Sequence, residues 1–141
     1  MSGKTTDDLS SELMEKASID SYIQDNQSLF VHQSVAELLT ELFEKSSVSK
    51  SALARAACIS EVYLHQIFSG RRNPSRDRLL CICIGLRATL EETQRLLKQA
   101  FFAELYSRVK RDAIISYGIV HHTGLEEIND KLFAENEKTL F

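Results

Sequence analysis

The spacing of apolar residues along the chain predicts helices almost throughout. Between positions 34 and 45, apolar side chains recur three and four residues apart, which places them on one face of a helix. These positions are Val35, Leu38, Leu39, Leu42 and Phe43. No segment shows the alternation of apolar and polar residues that is typical of a half-buried strand. The pattern therefore predicts an all-α fold.

Candidate N-cap residues divide this pattern into short helices. Ser49 and Ser60 precede two short amphipathic segments, and Gly70 follows the second where a left-handed residue ends a helix. Ser75 can cap a helix that is apolar almost all round, which we expect to be central and buried. Three pairs fit the capping box: Ser34 with Glu37, Thr89 with Glu92, and Thr123 with Glu126. Residues 34–100 are thus predicted to form five helices.

A chain of 141 residues suits one main domain with extensions. We predict an acidic helical extension over residues 1–33, the five-helix domain over 34–100, and a C-terminal helical extension over 101–141 that packs on the core. Side chains expected to be buried in this last segment include Phe101, Phe102, Leu105, Tyr106, Val120 and Phe133. Packing on the main domain, a homodimer contact and binding of a protein partner are three alternatives for the terminal helices.

The net charge of −3 hides a strong segregation of charge along the chain. Residues 1–44 carry two basic and nine acidic side chains, whereas residues 45–111 carry thirteen basic and five acidic ones. Residues 112–141 return to two basic and six acidic side chains. A basic middle between acidic ends creates a local positive field, which favours an anionic partner.

The centre of this basic segment, residues 49–74, is predicted to be two short helices joined by a tight turn. The second helix would bury Leu64 and Ile67, and the loop after it carries Arg71 and Arg72. Its predicted outward residues are Glu61, Val62, His65 and Gln66. A short helix with a largely polar outer face beside a basic loop is typical of proteins that bind a DNA groove.

The same residues resemble the lambda-repressor/Cro-like helix-turn-helix family of the xenobiotic-response-element type, over about 34–100. The matching motif is Leu53-Ala54, Ile59-Ser60, Tyr63-Leu64, Ile67, Ser69-Gly70 and Asn73-Pro74. The resemblance implies base contacts by Glu61, Val62, His65 and Gln66, and phosphate contacts by Lys50, Ser60, Arg71, Arg72 and Asn73. Cys58 departs from the pattern because glycine usually occupies this turn position. A left-handed residue other than glycine costs about 1 kcal/mol.

Side-chain chemistry suggests a role for each outward residue. The amide of Gln66 can pair with adenine, Glu61 can accept from cytosine N4, and Val62 can pack on a thymine methyl. His65 could contact a base, a phosphate or only water. Glu61 has an equally good alternative as an acid that stabilises a helix N-terminus. Arg76 would join the phosphate contacts, which position a protein on DNA without distinguishing sequences.

Other chemistry has little support in the sequence. Cys58, Cys81 and Cys83 form no C-x-x-C pair, so we expect small buried thiols rather than a disulfide or a zinc site. The adjacent His121 and His122 lack metal-site spacing and suit a helix end. With no phosphate loop or nucleophile motif, we expect no enzyme activity, catalytic residue, metal or cofactor. Without a membrane span or signal core, we expect a soluble cytoplasmic protein.

Together these features predict a sequence-specific DNA-binding transcriptional regulator whose recognition helix runs from about Ser60 to Ser69. Its partner would be double-stranded DNA, with a pseudo-palindromic site if the protein is a homodimer. The alternative is a non-enzymatic protein-interaction module, antitoxin-like or regulator-binding, built on the same helix-turn-helix fold.

Overall fold

A computed structural model describes residues 4–27 and 34–141, and every regular element in these ranges is a helix. The bounds are α1 Thr6–Glu15, α2 Ile19–Asp25, α3 Val35–Lys45, α4 Lys50–Ala56, α5 Glu61–Phe68, α6 Arg76–Leu86, α7 Leu90–Gln99, α8 Lys110–Val120 and α9 Leu125–Ala134. The predicted all-α fold is confirmed. No helix in the described ranges has both the length and the apolar character needed to cross a membrane.

Helices α1 and α2 belong to a compact unit of their own. Thr5 begins α1 through a capping box with Asp8. The side chain of Asn26 is fully buried, and it bonds to both Lys4 and Glu12. The apolar side chains that stay exposed on this unit are Leu13, Met14, Ile19 and Ile23. Among the described residues of this unit, the contact that joins the two helices through a buried side chain is therefore polar.

Side-chain caps set the starts of α3, α4, α5, α6 and α7 in the second unit, as the sequence predicts. A hydroxyl oxygen accepts a hydrogen bond from the backbone N–H three residues later at Ser34, Ser49, Ser60, Ser75 and Thr89. Thr89 and Glu92 form the complete capping box. At Ser34 the return bond is different, because its hydroxyl donates to the Glu37 carboxylate at 3.3 Å.

The third predicted box is wrong, because α9 begins one residue later than the pattern suggests. Its N-cap is Gly124, and no side chain caps it. The backbone N–H of Thr123 instead donates to the carbonyl of Gly118 at 2.8 Å, and His122 before it is left-handed with φ 53°. Thr123 therefore belongs to the C-terminal turn of α8, as in a Schellman ending, and not to the start of α9.

Helix α6 lies at the centre of the core, as expected from its apolar sequence. Seven of its residues are buried: Leu79, Leu80, Cys81, Ile82, Cys83, Ile84 and Leu86. The same apolar cluster continues from α3, α4 and α5 through α6 and α7 into α8 and α9. The C-terminal helices contribute Ile115, Ile119, Leu125, Ile128 and Leu132 to it. Residues 34–141 accordingly share one core.

Several aromatic and aliphatic residues that we expected to be buried are exposed. Phe101 is 85% exposed and Tyr106 is 56% exposed, whereas Leu105 beside them is buried. Polar contacts hold this connector, since the Gln94 amide bonds to both the N–H and the carbonyl of Leu105 at 2.7 and 2.8 Å. Val120 and Phe133 are also exposed, on the outer sides of α8 and α9. Helical spacing predicted the inward neighbours correctly but extended the buried faces too far.

Candidate nucleic-acid interface

The turn between α4 and α5 fixes the relative direction of the two helices. Cys58 adopts the left-handed conformation with φ 56°, as its position in the motif predicts. The N–H of Ile59 then donates to the Ala54 carbonyl at 3.0 Å. Ser60 follows directly as the N-cap of α5, with its hydroxyl oxygen accepting from the Tyr63 N–H. Only two residues, Cys58 and Ile59, thus separate the C-cap of α4 from the N-cap of α5.

Helix α5 is anchored by two side chains and exposes the face opposite them. Leu64 and Ile67 are fully buried, as predicted. Glu61 and His65 are exposed and Gln66 is half-buried. Val62 is 68% exposed. At 3.6 residues per turn, the four predicted base-contacting positions fall within an arc of about 140°. The structure brings them together on one surface.

The loop after α5 is tied to the end of that helix. Gly70 has φ 81°, where a side chain would be strained, and no atom crowds its open side. The carbonyl of Gln66 accepts hydrogen bonds from the N–H groups of Arg71 and Arg72 at 3.0 and 3.2 Å. Both arginines are exposed, as is Asn73. This anchoring keeps the basic loop beside the exposed face of α5.

Two guanidinium groups flank the N-terminus of α5. The guanidinium carbon of Arg72 lies 5.3 Å from the centroid of the Tyr63 ring, a cation–π arrangement that orients it. A hollow of about 460 Å³ is lined by Ser60, Tyr63, Arg72 and Arg78. Neither arginine forms an ion pair with a carboxylate in the described part of the chain. Their charge is therefore available to an external anion.

Arg76, which the sequence predicts at this surface, has its guanidinium turned away from α5, and Arg78 lines the hollow instead. The Arg76 guanidinium points to the C-terminal segment, where its Nε donates to the Ala103 carbonyl at 2.9 Å and its Nη2 to Asp112 at 3.2 Å. Two residues along a helix are about 200° apart, so only one of these arginines can face α5. The rotation of a helix is usually predicted from an apolar stripe along one face. Helix α6 has no such stripe, because it is apolar all round.

Lys50 lies between two aromatic rings at the start of α4. Its ammonium nitrogen is 5.3 Å from the centroid of Phe68 and 5.8 Å from that of Phe43. The two rings pack edge-to-face with centroids 5.4 Å apart. His65 lines the same surface hollow, which measures about 390 Å³. The lysine charge thus lies over these rings, beside the C-terminal end of α5.

The cysteine thiols are unsuited to chemistry at this surface. Burial raises the pKa of the Cys81 thiol and that of the Cys83 thiol to about 12. Burial also raises the pKa of Cys58, with a smaller contribution from the charge of Glu126. The prediction of small buried thiols is confirmed for Cys81 and Cys83. Residues 4–27 and 34–141 contain no group of three or more His, Cys, Asp or Glu side chains that could hold a metal ion.

Comparison with known families agrees with this geometry. The model of the family described as "Helix-turn-helix domain" matches residues 34–96, from the cap of α3 into α7. The chain is therefore similar to helix-turn-helix domains over these residues. The match is consistent with the lambda-repressor/Cro-like type that the motif resembles. No curated protein and no solved structure gives a significant match to the chain.

Proposed function

We propose that this protein is a sequence-specific DNA-binding transcriptional regulator that places α5 in the major groove of B-form DNA. The observation that carries the proposal is the exposed face of α5 beside Arg71, Arg72 and Arg78, three cations that form no ion pair with a carboxylate among the described residues. A helix of this size fits the major groove, and nearby cations neutralise phosphates on either side of it.

Within this proposal, the outward residues of α5 distinguish base pairs. Gln66 pairs through its amide with adenine, and Val62 packs against a thymine methyl. Glu61 accepts a hydrogen bond from cytosine N4, while His65 contacts a base edge or the adjacent phosphate. The half-buried position of Gln66 supports its role, since a side chain already partly ordered loses less conformational entropy on binding.

The phosphate contacts lie on both sides of that face. Arg71, Arg72 and Asn73 would bind one stretch of backbone from the loop, and Lys50 another from the start of α4. Ser60 would approach a phosphate at the N-terminus of α5, where the helix dipole favours an anion. Arg78 replaces Arg76 in this set, because the Arg76 guanidinium is already bonded within the domain.

The proposed activity takes place in the cytoplasm, where the protein would bind a regulatory DNA site. A homodimer would bind two half-sites of a pseudo-palindromic operator, with both copies of α5 in successive major grooves. The competing function is a protein-interaction module, in which the same face of α5 binds another protein. The two functions differ in whether any duplex is bound, so one experiment separates them.

A random-site selection on duplex DNA, followed by measurement of affinity for variants, tests the proposal. We expect Gln66→Ala to cost about 1–3 kcal/mol at the preferred base and to relax the preference there. Arg72→Ala should weaken all duplexes alike, whereas Arg108→Ala, which removes an equal charge from the turn before α8, should have little effect. Failure to enrich any sequence would contradict the proposal and favour the protein-interaction module.

A further inference from the structure

Helices α8 and α9 enclose an exposed apolar groove that the DNA-binding face does not use. The groove has a volume of about 610 Å³. Its apolar lining consists of Ala113, Ile114, Tyr117, Gly118 and Ile128. Tyr117 is 65% exposed at its rim, with its ring stacked on His121 at 4.0 Å between centroids. An open apolar strip of this kind is typical of a protein–protein contact.

Gly118 lets the two helices approach closely at the floor of the groove. A Cβ built at this position would lie 2.5 Å from the Cδ1 and Cγ1 atoms of Ile128. Real side chains do not come this close, so any other residue would force the Ile128 side chain to shift. Because glycine leaves α8 without a side chain here, the Ile128 side chain reaches the α8 backbone and forms the floor.

The charges on the rim of the groove are ordered along its length. At one end, Lys110 and Lys131 both pair with Glu135, at 3.0 and 3.4 Å, which leaves an excess of one positive charge. Glu127, one turn before Lys131, is exposed and has no ion-pair partner in the described part of the chain. The groove is therefore positive at one end and negative at the other.

We propose that this groove binds the same groove of a second copy of the chain, with the α8–α9 pairs antiparallel about a two-fold axis. Such an axis places the positive end of one groove against the negative end of the other, so that Lys131 meets the partner's Glu127. An isologous contact requires a surface that is complementary to itself, and the charge order of this rim meets that requirement. Tyr117 and Ile114 would cover the equivalent residues of the second copy.

The placement of the groove leaves the DNA-binding face open. Helices α8 and α9 pack on α6 and α7, whereas α5 packs on α3 and α4. Joining two copies through the groove thus does not require any residue of α5 or of the basic loop. The proposed contact does not depend on DNA binding, and it is tested without DNA.

Sedimentation equilibrium of the full chain tests the contact directly. We expect the wild-type chain to dimerise and Tyr117→Asp to weaken the dimer by about tenfold or more, since a buried aspartate would face an apolar surface. The matched control is Phe133→Asp, because Phe133 is 77% exposed outside the groove. Circular dichroism verifies that both variants are folded. A wild-type monomer at every concentration, or equal effects of the two variants, would overturn the proposal.

A charge exchange tests the orientation of the two copies. Lys131→Glu and Glu127→Lys should each weaken self-association, because each places like charges opposite one another across the axis. An equimolar mixture of the two variants should form a heterodimer with affinity near that of the wild-type dimer. A mixture no tighter than either variant alone would exclude the antiparallel arrangement.

Discussion

Arg76 and Asp112 join the end of the basic loop to the C-terminal helices through a two-pronged ion pair. The guanidinium nitrogens Nη2 and Nη1 lie 3.2 and 3.4 Å from the two carboxylate oxygens. The same carboxylate accepts the N–H of Tyr106 at 3.0 Å, and Asp112 is 7% exposed. Arg76 begins α6 only four residues after Arg72, so this pair connects the C-terminal helices to the region that we propose binds DNA.

Asp112→Asn should lower the free energy of unfolding by about 1.5–3 kcal/mol, because it weakens charge-assisted bonds and leaves the Arg76 charge unbalanced. Urea unfolding followed by circular dichroism measures the change. Asp130→Asn removes the same charge from an exposed position of α9 and should change stability by less than about 0.5 kcal/mol. Equal midpoints for Asp112→Asn and the wild type would show that the ion pair contributes no net stability.

Arg78→Ala should reduce the salt dependence of DNA binding, although the motif does not include this residue. Loss of one phosphate contact lowers the slope of log K against log salt concentration by about 0.9. The measurement is a fluorescence-anisotropy titration at several salt concentrations, with Arg108→Ala as the charge-matched control. An unchanged slope for Arg78→Ala would mean that Arg78, in the hollow beside Ser60, does not contact a DNA phosphate.

Cys58→Val should destabilise the domain by about 1–3 kcal/mol, because a β-branched residue is strained in the left-handed conformation of the turn. Cys58→Gly should be tolerated better than Cys58→Val, since glycine adopts φ 56° without steric cost. Thermal unfolding of the two variants gives the comparison. If the Cys58→Val variant is at least as stable as the Cys58→Gly variant, then backbone conformation does not determine which residues position 58 tolerates.

Glu92 should make the domain sensitive to acid. The pKa of Glu92 is lowered, chiefly because the Thr89 N–H donates to its carboxylate and secondarily because of Lys45. A lowered pKa stabilises the fold at pH values above the ordinary value of 4.5, and that stability is lost as the pH falls through the folded-state value. Glu92→Gln should flatten the loss of stability as the pH falls below about 4.5.

The comparison for this prediction is Glu91→Gln, which removes the same charge from the exposed position next to Glu92. This variant should keep the wild-type dependence of stability on pH, measured by urea unfolding across the same range. If the two variants respond alike, the effect belongs to net charge rather than to the capping box.

The sequence predicted the helices and the exposed face of α5 well because local signals determine both. Caps such as Ser49 and Ser60 set the helix starts, and the spacing of Leu64 and Ile67 sets the rotation of α5. The rotation of α6 could not be predicted, since its apolar residues cover every side. The choice between Arg76 and Arg78 depends on that rotation and on Asp112, which lies 36 residues away.

In the C-terminal segment, too, local sequence patterns were not enough to predict the structure. Thr123 satisfies the spacing of a capping box but forms part of the C-terminal turn of α8. The left-handed His122 shifts this turn by one residue. Phe101 and Phe133 have large apolar side chains of the kind found in cores, yet both lie at the surface. Local patterns cannot reveal which helical face meets the core when a neighbouring helix covers only part of the apolar side.

The salt dependence of binding to a selected duplex tests the central claim most directly. With four cations at phosphates in each copy (Lys50, Arg71, Arg72 and Arg78), the slope of log K against log salt concentration should be roughly −3 to −4 for one bound copy and about twice as steep for a homodimer on two half-sites. Wild-type protein titrated over a range of salt concentrations gives this slope without any variant. A steep slope in this range agrees with a DNA-binding face built around α5. A flat slope would contradict it, because a helix in the major groove cannot avoid the charge of the backbone.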